Sequence, residues 1–231
     1  MKLLALDTAS AQCSVALLQD GQVLVRSQST ARDHATLILP MVDELLAEAG
    51  LALSQMDGIA FGRGPGSFTG VRIAAAVTQG LAAGADLPVL PISDLRALAA
   101  QARRLTHARA VGGWILACMD ARMGEVYWGV FDDSVALPGV KRFGEAVAPP
   151  GALPDDLRGH VAGAAGRGLA AYPSLPDWLG VGATACLPEA EPHALDVAQL
   201  AGHDLAAGQP WLDAQAAQPV YLRDQVAKMQ Q

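Results

Sequence analysis

Three cysteines in 231 residues, Cys13, Cys118 and Cys186, are too far apart for a metal clip and odd in number, which argues against a disulfide framework. They read as buried thiols. The five histidines, His34, His107, His160, His193 and His203, form no H-x-x-x-H or H-E-x-x-H pair. Helical zinc or iron sites therefore lack their usual ligands, and no metal is expected. Basic residues are outnumbered, 16 Lys and Arg against 23 Asp and Glu, for a net charge of −7. Since affinity for nucleic acid comes from cations neutralising phosphates, the chain alone should bind RNA poorly. Long apolar runs are also lacking, because Gly, Asp or Pro interrupts each one before it reaches membrane-spanning length, and residues 1–7 are too short for a signal-peptide core. A cytoplasmic protein with no membrane association is the expectation. A hydrophobic fraction of 52% is ample for a core in one large domain or two small lobes.

The most distinctive stretch is 61–72, Phe-Gly-Arg-Gly-Pro-Gly-Ser-Phe-Thr-Gly-Val-Arg, between an apolar run and an alanine-rich one. Strand, glycine turn and helix is the simplest reading. The glycines permit positive φ and close backbone approach, Pro65 stiffens the turn, and Ser67 or Thr69 can cap the helix. A helix N-terminus with free amides is also an anion site, so two readings stand, a tight structural turn and a cradle for a phosphate or adenylate. Neither the G-x-x-x-x-G-K-[ST] lysine nor the G-x-G-x-x-G spacing is present, and Ser67 lacks the G-x-S-x-G context of a nucleophile elbow.

Taken in order, 2–7, 13–19 and 22–28 read as three antiparallel strands with a hairpin turn at Asp20-Gly21. Asp33 can cap a helix reaching Ala49, kinked at Pro40, and a lone His34 at its start reads as a capping or surface residue. A strand at 58–61, the glycine loop, a helix with small residues Ala76 and Gly80 at four-residue spacing, a strand at 88–92 and a helix capped by Ser93 follow. The order βββαβαβα is that of a ribonuclease-H-like α/β unit with a mixed sheet. Residues 115–120 then repeat the motif of an apolar strand ending in Asp, with a glycine turn and a second strand behind it. Two related lobes, 1–107 and a more degenerate 108–231, suit this echo. From 132 to 192 the pattern is poorly periodic; a helix over 194–207 and a segment at 219–223 close the chain.

Asp7 and Asp120 end the two corresponding strands, where carboxylates can hold a metal-bound phosphate or simply cap their own turns. With Thr8, Gly64, Gly66 and Ser67 they make up the candidate nucleotide or phosphate contacts, although no cofactor is required. Actin-like and sugar-kinase-like ATPases usually follow such an Asp with glycine, whereas Thr8 and Ala121 stand here. Arg122, Glu125, Tyr127 and Trp128 form a polar and aromatic cluster, with alternation placing Glu125 and Tyr127 on one face and an Arg122–Glu125 tie as one reading.

The segments LDTA at 6–9, CSVAL at 13–17, GRGPGSFTGVRI at 62–73, DARMGEVYW at 120–128 and PVYLR at 219–223 closely resemble the bacterial TsaB (YeaZ) family of the wider Gcp-like group once labelled peptidase M22. The resemblance implies the actin-like ATPase superfamily fold of two ribonuclease-H-like lobes. It also implies a non-catalytic subunit that pairs with the paralogue TsaD and the ATPase TsaE to make N6-threonylcarbamoyladenosine at position 37 of tRNAs reading ANN codons, touching tRNA only through the complex. The metal-binding H-x-x-x-H of TsaD corresponds to 93–97, Ser-Asp-Leu-Arg-Ala, which has no histidine. Helices over 34–49 and 70–83 resemble those that pack against TsaD, implicating Leu37, Met41, Leu45, Arg72, Ala76 and Gly80. For the isolated chain two states stay open, a monomer and a homodimer through the same helices if their apolar flank is otherwise exposed. The alternative is an autonomous nucleotide-binding enzyme of the actin-like kind.

Overall fold

The computed structural model describes residues 1–30, 32–106, 113–132 and 141–223. The first sheet has the order β3-β2-β1-β4-β5. Strands β1 (Lys2–Asp7), β2 (Gln12–Gln19) and β3 (Gln22–Ser29) pair antiparallel, while β4 (Gly58–Gly62) and β5 (Val89–Ile92) continue in parallel. β1 and β4 are buried at nearly every position, as a central strand covered on both faces requires. Helices α1 (His34–Ala49) and α2 (Phe68–Ala85) cover one face, packing Ile38, Val42, Leu45 and Ala75 against Leu4, Leu6, Ile59 and Phe61.

The second sheet repeats the topology. Its order is β10-β9-β6-β7-β8, built from β6 (Trp114–Arg122), β7 (Glu125–Asp132), β8 (Lys141–Ala148), β9 (Val161–Ala165) and β10 (Cys186–Leu187). Again three strands pair antiparallel and two continue in parallel. The two halves are thus two lobes built on one ribonuclease-H-like plan. The poorly periodic stretch holds β8, β9, the short helices α4 (Arg167–Ala171) and α5 (Leu175–Leu179), and β10. Apart from β8, these elements have five residues or fewer, too few to leave a measurable period in a sequence.

Two helices join the lobes. α3 (Asp94–Leu105) turns Ala97 and Ala100 toward the first sheet and Leu95, Leu98 and Ala102 toward the second. α6 (Ala194–Ala206), although late in sequence, lies on the first sheet with Val197, Ala198 and Ala201. The helices run antiparallel, held by bidentate Arg96–Asp204 at 2.5 and 2.7 Å and Arg104–Asp196 at 3.1 and 3.0 Å. Asp196 is fully enclosed, and its burial pushes the carboxyl up more than Arg104 draws it down. The expected lobe boundary at 107/108 lies outside the described residues.

A Gly-Arg-Gly triplet follows the fourth strand of each sheet, at 62–64 and 166–168. Arg63 reaches Glu145 of β8 at 3.3 Å, and Arg167 reaches Glu191 at 3.0 Å, a carboxylate also bound by the Ser10 hydroxyl at 3.0 Å. Arg63 thus ties the first half to the second directly, and Arg167 does so only through the Glu191 carboxylate that it shares with Ser10.

Two local expectations change, at Asp33 and at His34. The Asp33 side chain does not cap α1; its carboxylate accepts from the Thr30 hydroxyl at 3.2 Å instead. α1 runs unbroken through Pro40, which lies on the exposed side. His34 is buried, with Nε2 2.8 Å from the Ser10 carbonyl, and so anchors the β1–β2 turn.

Leu45 is fully enclosed between α1 and the sheet, whereas Leu39 on the same helix is 45% exposed. Leu45→Ala should lower unfolding free energy by about 2–5 kcal/mol through loss of burial and a residual cavity. Leu39→Ala should stay within about 0.5 kcal/mol. Chemical denaturation of both variants checks this, and equal costs would contradict the placement of the core.

Candidate functional site

Every glycine of the 62–70 segment sits where a Cβ would collide. At Gly62 it would meet Asp7 Oδ2 at 2.5 Å and overlap an Asp94 carboxylate oxygen. Gly64, at φ +101°, has the Val220 carbonyl 2.9 Å from its Cβ position. At Gly66 the obstacle is the Ala9 carbonyl, and at Gly70 it is that of Thr8. The loop is thus pressed backbone to backbone onto the β1–β2 turn, which only residues without side chains allow.

Hydrogen bonds close the same contact. Ser67 N donates to Ala9 O at 2.7 Å, and the Thr8 hydroxyl donates to Gly70 O at 2.7 Å. Gly64 N donates to the Asp94 carboxylate, while Asp94 N donates to Gly64 O at 3.1 Å. Ser67 caps α2, accepting from Gly70 N at 3.4 Å, and Ser93 caps α3, accepting from Arg96 N at 3.3 Å. Several amides that a phosphate cradle would aim at an anion are therefore spent inside the protein.

Asp7 and Asp94 form a buried carboxyl pair across Gly62, and both are fully enclosed. Asp7 Oδ1 accepts from Ala9 N at 3.0 Å. Asp7 Oδ2 and Asp94 Oδ1 find no other donor, so a proton carried by Asp94 is what satisfies them. Burial, then the charge of Asp7, holds the Asp94 carboxyl well above the usual carboxylate range. Asp7 is raised too, by burial, although the hydrogen bond from Asp94 pulls it back. Residues 93–97 thus supply a helix cap and a carboxyl held in its protonated form by burial. Sequence reading missed Asp94, whose place directly after the cap residue Ser93 was its only signal.

Asp7, Thr8, Gly64, Gly66 and Ser67 come together in this junction. Asp120 stands apart on β6 of the second sheet, where it accepts from Arg122 N at 2.8 Å. Glu125 pairs with Arg223 rather than Arg122, whose guanidinium turns back to Asp120 at 3.8 Å. The alternation along β7 is as read, with Val126 and Trp128 packed in the second lobe's core. Among the described residues, no group of three or more His, Cys, Asp or Glu could hold a metal ion.

On the helix face the candidates divide. Arg72, Ala76 and Gly80 form an exposed stripe along α2, and beyond the helix's own adjoining backbone nothing lies within 4 Å of a Cβ built on Gly80. On α1, Leu37 is half-buried, Met41 nearly buried and Leu45 enclosed, so Leu39 and Pro40 present the outer side there. Arg72 stacks on Phe68, 3.7 Å from the ring centroid, and donates from Nε to the Tyr221 hydroxyl at 2.7 Å.

These contacts decide opposite outcomes for the same substitution at two helical glycines. Alanine favours a helix by about 1 kcal/mol, so Gly80→Ala should stabilise by roughly 0.5–1 kcal/mol. Gly70→Ala should destabilise by about 2–3 kcal/mol, since its Cβ must displace the β1–β2 turn. Thermal denaturation of both variants reads the difference. The acid pair gives a pH signature. The unfolded chain ionises Asp94 near its ordinary 3.8, whereas the folded chain keeps the proton to higher pH, so native stability falls as pH rises above that value. Asp94→Asn should flatten this slope and raise stability at neutral pH; an unchanged slope would rule out the shared proton.

Residues 25–176 match the protein family described as TsaD: tRNA N6-adenosine threonylcarbamoyltransferase. Two relatives called tRNA threonylcarbamoyladenosine biosynthesis protein TsaB match nearly end to end. The Haemophilus influenzae protein is 42% identical over 98% of this chain and 95% of its own length. The Escherichia coli protein is 39% identical over 98% and 96%. A crystal structure from Pseudomonas aeruginosa, of a protein with similarity to peptidase YEAZ, superposes with a TM-score of 0.83 at 43% identity, covering 96% of this chain and 99% of that one. A second, YeaZ from Pseudomonas aeruginosa, gives 0.81 at 42% identity over the same shares. With its duplicated lobes and this similarity along almost the whole length, the chain belongs to the TsaB (YeaZ) family of tRNA threonylcarbamoyladenosine biosynthesis proteins.

Proposed function

We propose that this chain is a non-catalytic partner subunit of the machinery that installs N6-threonylcarbamoyladenosine at position 37 of ANN-reading tRNAs, pairing with the paralogue TsaD and working with the ATPase TsaE. The observation that carries the reading is the glycine loop, whose backbone and amides occupy the position where a phosphate cradle would have to open. A loop committed to its own fold aims α2 outward instead. The stripe of Arg72, Ala76 and Gly80, flanked by Leu39 and Pro40 of α1, gives a partner helix close backbone approach. When the paralogue is absent, the same face pairs two copies of this chain.

With a net charge of −7, the chain meets tRNA through the complex rather than alone. Among the described residues no helix is long and apolar enough to cross a membrane, and the place of work is the cytoplasm, where tRNA is modified.

Ala76→Glu puts a charge on the exposed stripe and should abolish co-purification with TsaD while changing the subunit's own stability by no more than about 0.5 kcal/mol. Undiminished co-purification would place the interface elsewhere. Calorimetry with magnesium and ATP on the isolated chain should show no heat of binding; saturable heat would favour the autonomous nucleotide-binding reading.

A further inference from the structure

Three of the seven large hydrophobic side chains exposed among the described residues, Phe68 at 56%, Met123 at 73% and Tyr221 at 46%, belong to one surface. Phe68 and Tyr221 are 5.9 Å apart between ring centroids, with Arg72 bridging them. Two residues past Tyr221, Arg223 bonds Glu125 and lies 3.7 Å from the Met123 sulfur. Between these anchors Leu222 packs into the core shared by the two lobes, and Val220 N donates to Arg63 O at 2.7 Å. The segment 219–223 is therefore a strap from the start of α2 to the tip of the β6–β7 hairpin, and three otherwise separate motifs meet along it.

The hairpin tip is built against its own conformational preference. Met123 and Gly124 are the central residues between the paired Arg122 and Glu125, with φ of +56° and +79°, and Arg122 is itself at +62°. Such a turn favours Asn, Asp or Gly. Methionine gains little inside the fold here, since most of its side chain faces solvent. Strain that presents an apolar group outward points to a contact made outside the chain.

The charges say what kind of contact. Arg122 is 88% exposed and only loosely held by Asp120, a pairing worth little at such exposure. Arg72 bonds a neutral phenol, and no carboxylate pairs with it among the described residues. Two cations on a chain of net charge −7 select for carboxylates. They are too few for an RNA backbone, and Arg72 already covers one face of Phe68. We propose that Phe68, Arg72, Tyr221, Arg122 and Met123 form a docking surface for a protein segment that carries an apolar side chain flanked by carboxylates. This surface spans both lobes and meets the α2 stripe at Arg72, which the two share.

The methyl resonance of Met123, assigned through its loss in Met123→Leu, is the probe. The full chain is titrated with a short peptide holding Leu and Phe between Asp and Glu, with the same peptide carrying Lys at the acidic positions, and with single-stranded RNA. The acidic peptide should shift the Met123 methyl saturably, and Arg122→Glu should weaken binding at least about tenfold. Met123→Asn should raise the melting temperature, because Asn suits the turn, and still weaken binding by about tenfold. A variant that is more stable yet binds less cannot be explained by misfolding. A shift with RNA but not with the acidic peptide, equal shifts with both peptides, or no shift at all would overturn the proposal.

Discussion

The closure of residues 62–70 over the β1–β2 turn is the contact on which the first lobe depends. It places backbone against backbone, so no side-chain rearrangement can substitute for it. It fixes where α2 begins, through Ser67, and where α3 begins, through the reciprocal bonds of Gly64 and Asp94. Because α3 is also the helix shared with the second sheet, the same junction sets how the two lobes meet. The Asp7–Asp94 pair lies at its centre, and a neutral acid there is the consequence of burying two carboxyls with few donors.

Duplication explains the architecture around that junction. Each half has the same strand order and the same Gly-Arg-Gly triplet after its fourth strand; Arg63 crosses directly to Glu145 of the other half, and Arg167 holds Glu191, which accepts from Ser10 of the other half. The crossing elements, α3 and α6 with their two bidentate pairs, join the halves firmly. In the first lobe the loop is a structural wedge, and on the function proposed above the outer helix faces and the strap-bridged surface are the parts of the molecule left for partners.

Much of the first lobe was legible in the sequence because its elements are long or sharply punctuated. Apolar strand runs, the Asp20-Gly21 turn, the caps Ser67 and Ser93 and the glycine loop all act over a few neighbouring residues. What stayed hidden depends on distance. Asp94 looks like a first-turn helix acid until Asp7 is found beside it, and His34 looks like a surface residue until the Ser10 carbonyl is found above it. Glu125 has a plausible partner three residues away in Arg122, yet pairs with Arg223, a partner 98 residues on. The interface candidates on α1 show the same limit, since the apolar spacing that identifies an amphipathic helix cannot say which apolar residue, Leu45 or Leu39, faces the core.

The central claim is that this chain contributes a partner surface rather than chemistry to tRNA modification. Its most direct test is reconstitution of N6-threonylcarbamoyladenosine formation from purified TsaD, TsaE, tRNA and the threonylcarbamoyl adenylate that donates the group, with the wild-type chain, with the Ala76→Glu variant, and with none. Modification should require the wild-type chain and fall to the level of its absence with Ala76→Glu, whereas Asp7→Asn, which keeps the junction's shape, should support full activity. Loss of modification with Asp7→Asn in a complex that still assembles would contradict the account, because it would place a chemical role on the carboxyl pair.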